Sequence, residues 1–310
     1  MLEVTTTRHN YLIDPSLSIW GWEIPVYLFL GGMVAGMMII SGYFLFMGRN
    51  RESKCSCLFL PYLNIILLSL GMFALFLDLE HKLYVWRLYT TFEITSPMSW
   101  GSWILILIYP LLLSNIMMNP PKILTDKISL LKRVSEFVLV RQRLIKNIGL
   151  MNIIFGILLG MYTGVLLSTL GARPLWSTSL LWVLFLASGM SGAAAFVHLI
   201  AKDKYERELL AKSDNIFLAI ELLVIVMMLI SLITASDVQN KAAMILISGP
   251  YAASFWTFVI GIGIVIPLII QLLAVSHKIP HTPLAPLLVI AGGLVLRFII
   301  VNAGQLSSWH

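Results

Sequence analysis

Long apolar runs alternate with short polar stretches along the whole chain. Eight of the runs are about 18 residues or longer, the length at which a helix crosses a bilayer. They lie at roughly 22–46, 57–77, 100–118, 147–169, 179–200, 215–235, 252–274 and 284–303. Glu23 stands at the start of the first run, Glu221 lies within the sixth and Arg297 within the eighth. Together the runs take up more than half the chain and leave no room for a separate soluble domain. The pattern predicts an all-α integral membrane protein with eight transmembrane helices, one membrane domain over 1–310. The longest polar segment, 119–146, reads as a loop with one surface helix. The residues before the first run have neither a basic start nor a small-residue cleavage site in the expected order, so that run reads as a retained span.

Composition agrees with this pattern: 59% of residues are hydrophobic and 12% charged, about half the charge of a soluble domain. The distribution of charge adds an orientation, because Lys and Arg gather on the cytoplasmic side of membrane proteins. One side carries Arg49, Arg51, Lys54, Lys122, Lys127, Lys132, Arg133, Arg141, Arg143, Lys146, Lys202, Lys204, Arg207, Lys212 and Lys278. The other carries Arg8, Lys82, Arg87, Arg173 and Lys241. The richer side is expected to face the cytoplasm, with both termini and the loop around 90–100 extracytoplasmic. The net charge of +6 reflects this asymmetry and gives no reason to invoke nucleic acid.

Ionisable and polar groups inside spans are costly and mark function by default. At the outer span ends these are Glu23, Tyr27, Asp78, Glu80, His81, Trp100, Arg297, Asn302 and Gln305. Towards the cytoplasmic ends they are Asn64, Asn152, His198 and Glu221. Glu23 and Asp78 also suit solvated interface positions, and the tryptophans suit an aromatic belt. Arg297 calls for an acidic partner, and Asp78 and Glu23 stand at matching depth. Metal and haem find little here. The histidines His9, His81, His198, His277, His281 and His310 offer no pair at one depth, and the pair Cys55 and Cys57 falls short of the four ligands an iron–sulphur cluster needs. They read as two loop thiols. The small-residue strings "GGMVAGMM" (31–38) and "SGMSGAAA" (188–195) read as seams where helix backbones approach closely. Because they fall in the first and fifth spans, they also suggest two four-helix bundles; the long polar segment suggests halves at 1–146 and 147–310.

Four segments carry a resemblance. "WGWEIPVYLFLGGMVAG" (20–36), "FLDLEHKLYVWRLYTTFEITSPMSWGSWIL" (76–105), "YTGVLLSTLGARPLW" (162–176) and "LRFIIVNAGQ" (296–305) are similar to the NrfD family. Its members are the membrane subunits of polysulfide-reductase-type respiratory complexes. The family's usual Gly-Arg-Pro after "LDL" is here Glu80, His81 and Lys82, and no role is carried over to those three positions. The resemblance implies a subunit of the bacterial or archaeal cytoplasmic membrane with no haem or iron–sulphur cluster of its own. It would exchange electrons between membrane menaquinone or ubiquinone and an extracytoplasmic ferredoxin-like iron–sulphur subunit. That partner would in turn serve a molybdopterin oxidoreductase or a multihaem cytochrome.

Read with this resemblance, the outer polar groups suit a quinone pocket, which needs aromatic and aliphatic walls, a few donors and an acid for the protons. Asp78 and Glu23 are the expected proton-handling acids, and Tyr27, Trp100, Pro97, Ser99 and Arg297 the expected binding residues. Pro97 and Trp100 would wall the ring, while Ser96 and Ser99 would tie down the turn and Glu93 would face the partner. Glu221, His198, Asn64 and Asn152 form an expected proton path from the cytoplasm, across midplanes that read as mostly apolar. Two other functions stay open: a secondary ion- or proton-coupled transporter, and a membrane anchor without quinone chemistry.

Overall fold

The computed structural model describes residues 20–52, 54–121, 129–276 and 282–309. His9, His277, His281, His310, Arg8, Lys122, Lys127 and Lys278, which bear on the expected histidine pairing and charge asymmetry, lie outside the described residues. Eight helices are long and apolar enough to cross a membrane. They are α1 Glu23–Phe46, α2 Leu60–Asp78, α3 Pro97–Met118, α5 Gln142–Ser168, α6 Leu180–Ile200, α7 Lys204–Ala235, α9 Ala252–Val275 and α10 Leu284–Leu306. Shorter helices accompany them, among them α4 Ser129–Val140 in the segment expected to hold a surface helix, and α8 Asp237–Ile247. Among the described residues there is no strand. The chain is thus an all-α, multi-pass membrane protein.

Every apolar run became a helix, but the runs do not mark the helix ends. The sixth run reads from 215, whereas α7 starts at Lys204, where the Asp203 side chain caps it by accepting the Glu206 N–H. Hydropathy reports where lipid begins, while a helix continues into polar sequence for as long as its cap and packing support it. The added turns carry Asp214 into the bundle.

Helices α1 and α6 are the most enclosed of the eight. Helix α1 packs against α2, α5, α6 and α10, so it touches helices from both halves of the chain. The two small-residue strings meet each other there. A β-carbon on Gly36 would stand 2.7 Å from the Gly189 carbonyl oxygen, and one on Gly189 would stand 2.7 Å from the Gly32 carbonyl oxygen. Only glycine lets these two backbones approach so closely. Helix α9 departs from regular geometry, with π-helical turns over Phe255–Val265.

A polar lock closes the Lys/Arg-rich face. Arg49 lies 2.7 Å from Asp203 and 3.6 Å from the fully buried Glu206, and it also pairs with Glu52. The Ser56 N–H donates to Glu206 at 3.0 Å, and its hydroxyl donates to the same carboxylate. Flanking Ser56, Cys55 and Cys57 are joined in a disulfide rather than standing as the two thiols read from sequence. Hydrogen bonds from Arg49 hold the Asp203 and Glu52 carboxyls below the ordinary carboxylate range. A depressed carboxylate stabilises the fold above its unfolded pKa. The contribution is therefore complete at neutral pH and fades as pH falls through the folded values. Arg49→Met leaves the buried Glu206 charge without its cation, an expected loss of about 3 kcal/mol. A melt of the detergent-solubilised protein measures it, and a melting temperature equal to that of an Arg133→Met control counts against the lock.

Candidate functional site

Because α1 and α2 run antiparallel and pack together, the first residue of one and the last of the other reach the same end of the bundle. There Glu23 and Asp78 stand half-buried, near enough for their carboxylates to repel each other. One turn below Glu23, on the same face of α1, Tyr27 is buried at 2% exposure. Its ring packs over Gly71 of α2. Tyr162 of α5 and Tyr89 of the loop between α2 and α3 lie close enough to act electrostatically on the Tyr27 phenol. The Tyr162 ring fills the place a side chain at Gly101 would take, since any β-carbon there would overlap the ring. The result is a carboxylate pair over three tyrosines, contributed by α1, α2, α5 and the loop. Burial raises the Tyr89 phenol above its ordinary pKa, so it stays a hydrogen-bond donor at neutral pH.

Two clefts flank this cluster. The smaller, about 270 Å³, has apolar walls, among them Met72, Phe76, Leu79, Val85 and Leu88, with Ser69 and Tyr89 as its polar members. The larger, about 480 Å³, shares Leu79, Val85 and Leu88 and adds Glu80, His81, Arg87, Ser96 and Ser99. Tyr89 therefore faces the smaller cleft and also neighbours the buried Tyr27. Glu23, Tyr27 and Asp78 line neither cleft. Trp100 and Pro97 also line neither: Trp100 is 44% exposed, and its indole N–H donates to the Ile94 carbonyl at 2.8 Å. Ser99 holds the loop, accepting from the Glu93 N–H at 3.3 Å and donating to the Thr91 carbonyl at 3.5 Å. The Ser96 side chain makes no cap bond to α3.

A second polar set runs through the midplane of α6, α7, α9 and α10. Asp214, fully buried, accepts from Ser191 at 2.9 Å and from Gln271 Nε2 at 2.6 Å. Glu221, seven residues on and so about 10 Å along the same face of α7, accepts from the Ser188 hydroxyl. Arg297 is the electrostatic neighbour of Glu221. It donates to the Phe185 carbonyl at 3.0 Å and lies 4.0 Å from the centre of the Phe185 ring. Its Nη2 also sits 3.5 Å from the position of a Gly32 β-carbon, about 8 Å down α1 from Tyr27. The acidic group beside Arg297 is thus Glu221, not the Asp78 or Glu23 that depth alone suggested. The column begins near the Lys/Arg-rich face and ends beneath the tyrosines.

The remaining predicted residues lie apart from both sets. Asn152 exchanges two amide hydrogen bonds with Asn115, at 2.9 and 2.8 Å, tying α5 to α3. Asn64 is fully buried, with neither amide atom hydrogen-bonded within the described structure. His198 is half-buried in a cleft at the Lys/Arg-rich end. Sequence reading passed over Asp214, Ser188, Ser191, Gln271 and Tyr162 as site candidates, and counted Tyr89 only as one polar aromatic of the outer loops, with no role. Asp214 carried a usable signal, because it lies seven residues before Glu221 and helical spacing puts the two on one face. Among the described residues no group of His, Cys, Asp and Glu is placed to hold a metal ion.

Comparison with known proteins extends over the same elements. The family model "Polysulphide reductase, NrfD" matches residues 8–307. The C polypeptide of the polysulfide reductase of Wolinella succinogenes is 28% identical over 307 residues, covering 93% of this chain and 94% of that protein. Protein NrfD of Escherichia coli is 27% identical over 309 residues, covering 93% and 96%. The NrfD homolog of Haemophilus influenzae is 28% identical over 309 residues, covering 93% and 95%.

Proposed function

Because the chain belongs to the NrfD, or polysulphide reductase, family, we propose that it is the quinone-reactive membrane subunit of a respiratory oxidoreductase complex. The observation that carries this reading is the Glu23–Asp78 pair with Tyr27, Tyr89 and Tyr162, joined to an apolar cleft through Tyr89 and Leu79, which line it. Menaquinone or ubiquinone would enter with its ring towards Tyr89. Met72, Phe76 and Leu79 would flank it, and Tyr89 would donate to a carbonyl oxygen. Oxidising a quinol releases two electrons and two protons. In this reading the protons pass to the Asp78 and Glu23 side, and the electrons leave to an iron–sulphur partner; quinone reduction runs the same steps in reverse. Two neighbouring carboxylates suit this, since they give the protons two adjacent acceptors. Ser99, Pro97 and Trp100 shape the loop at the lip of the site.

The ferredoxin-like partner, itself serving a molybdopterin oxidoreductase or a multihaem cytochrome, would dock on the loop between α2 and α3. There Leu83, Tyr84, Trp86, Phe92 and Ile94 are exposed together, the kind of apolar surface that marks an interface. The Wolinella relative is named as one lettered polypeptide of its reductase, which supports a subunit of a larger assembly.

The buried column supports proton coupling from the opposite face, entering by Asp214 and passing Glu221 towards Arg297. Gln271 Oε1 and Arg297 Nε and Nη1 are buried with no hydrogen-bond partner in the described structure, the circumstance in which interior polar groups bind water. The same column is what favours a transporter as the second reading. Quinol oxidation by the purified complex, with an artificial acceptor for the electrons, tests the primary reading: turnover that vanishes when this chain is absent supports it. An inactive quinol assay together with full assembly would leave a membrane anchor. Ion flux in liposomes without any quinone would favour the transporter.

A further inference from the structure

At the Lys/Arg-rich end, where α6 finishes and α7 and α10 begin, lies a cleft of about 620 Å³ that neither the quinone reading nor the proton column uses. Lys202, Lys204 and Arg207 line it, with His198 on its wall and Glu208 as its one lining acid among the described residues. Nearby acids are engaged elsewhere. Glu208 pairs with Lys212 at 3.1 Å, and Asp203 pairs with Arg49 and caps α7. The cleft therefore keeps an excess of positive charge. Arg207 is held in place by its Nε donating to the Ala201 carbonyl at 2.6 Å, which leaves its terminal nitrogens to the cleft.

Position and surroundings narrow the ligand. The cleft sits where apolar helix gives way to polar loop, at Ile200 on α6 and Leu284 on α10, which is headgroup depth in a bilayer. Directly beside it, Leu284 and Leu287 on the first turns of α10 are more than half exposed. Cations above and apolar surface below match a molecule with an anionic head and acyl tails. A soluble phosphate matches only the upper part. We infer that this cleft binds the phosphodiester headgroup of an anionic phospholipid, its acyl chains running down α10. Basic pockets between membrane helices recognise such headgroups, and a lipid seated there bridges α6, α7 and α10.

The test uses the purified complex, delipidated in neutral detergent and titrated with phosphatidylglycerol, with bound lipid counted by native mass spectrometry. Lys202→Gln together with Lys204→Gln keeps Arg207 and its Ala201 bond intact, so the fold is retained. Each lysine near an anionic surface is worth about 1 kcal/mol, so the pair should weaken the tightest binding event roughly thirtyfold. A double variant elsewhere on the same face, Arg143→Gln with Lys146→Gln, should leave that event unchanged. Equal weakening by both double variants would overturn a specific site, as would equal binding of phosphatidylcholine. Displacement of the lipid by equimolar inorganic phosphate would overturn the lipid assignment in favour of a soluble phosphate. Quinol turnover is not the readout, so failure here and failure of the quinone reading are distinguishable.

Discussion

Asp78→Asn is expected to abolish quinol-linked turnover almost completely while the complex still assembles. The change keeps the size of the side chain and its place at the end of α2, where Asp78 neighbours Glu23 and is half-buried. It removes the negative charge and, with it, the ability to take a proton. Positioned acid–base groups contribute about a hundredfold to ten-thousandfold to rate, so a loss of at least about a hundredfold is expected. Partner subunits should still co-purify, because Asp78 ends α2 and is not among the exposed apolar residues of the loop between α2 and α3. Trp100→Phe is the contrasting variant. Its ring is turned outward and its one hydrogen bond serves the loop, so turnover should stay near that of the unaltered protein. Near-normal turnover in Asp78→Asn would remove that residue as the proton acceptor, and a collapse in Trp100→Phe would return the tryptophan to the ring pocket.

Glu221→Gln is expected to separate electron transfer from charge movement. Glu221 is buried in mid-bundle between Asp214 below and Arg297 above, away from the carboxylates Glu23 and Asp78. If protons drawn from the Lys/Arg-rich face reach the quinone through this column, neutralising Glu221 interrupts the only acidic step between Asp214 and Arg297 among the described residues. Electron transfer in detergent should persist, and the membrane potential formed by proteoliposomes should fall to near zero. Each charge carried against about 100 mV stores roughly 2.3 kcal/mol, so the loss is large enough to read with a potential-sensitive dye. Asp214→Asn should act the same way, since it stands at the entry of the column. Asn152→Ala should not, because its amide is committed to Asn115. An unchanged potential per electron in Glu221→Gln would take the column out of proton transport and leave it as a helix tie.

The eight spans were legible in the chain by itself, because lipid imposes one local rule: about twenty apolar residues in succession. The two small-residue strings were equally legible as seams, since close backbone approach needs residues without bulk. The cost of a buried cation also marked Arg297 without any structure. What the sequence could not supply was adjacency. Depth pointed Arg297 to Asp78 and Glu23, yet packing of α10 against α6 set it beside Glu221 and the Phe185 carbonyl. Trp100 looked like a pocket wall, but the turn before α3 rotates its ring outward to Ile94. Tyr162 gave no local sign of meeting Tyr27, because what admits it is the missing side chain at Gly101 on a third helix. Asp214 fell just outside an apolar window, and only the capped start of α7 at Lys204 brought it indoors. Residues three or four apart meet because helix geometry is local and periodic. Which helices adjoin, and with what rotation, is decided by side chains far apart in the chain interlocking, and tertiary packing alone determined that.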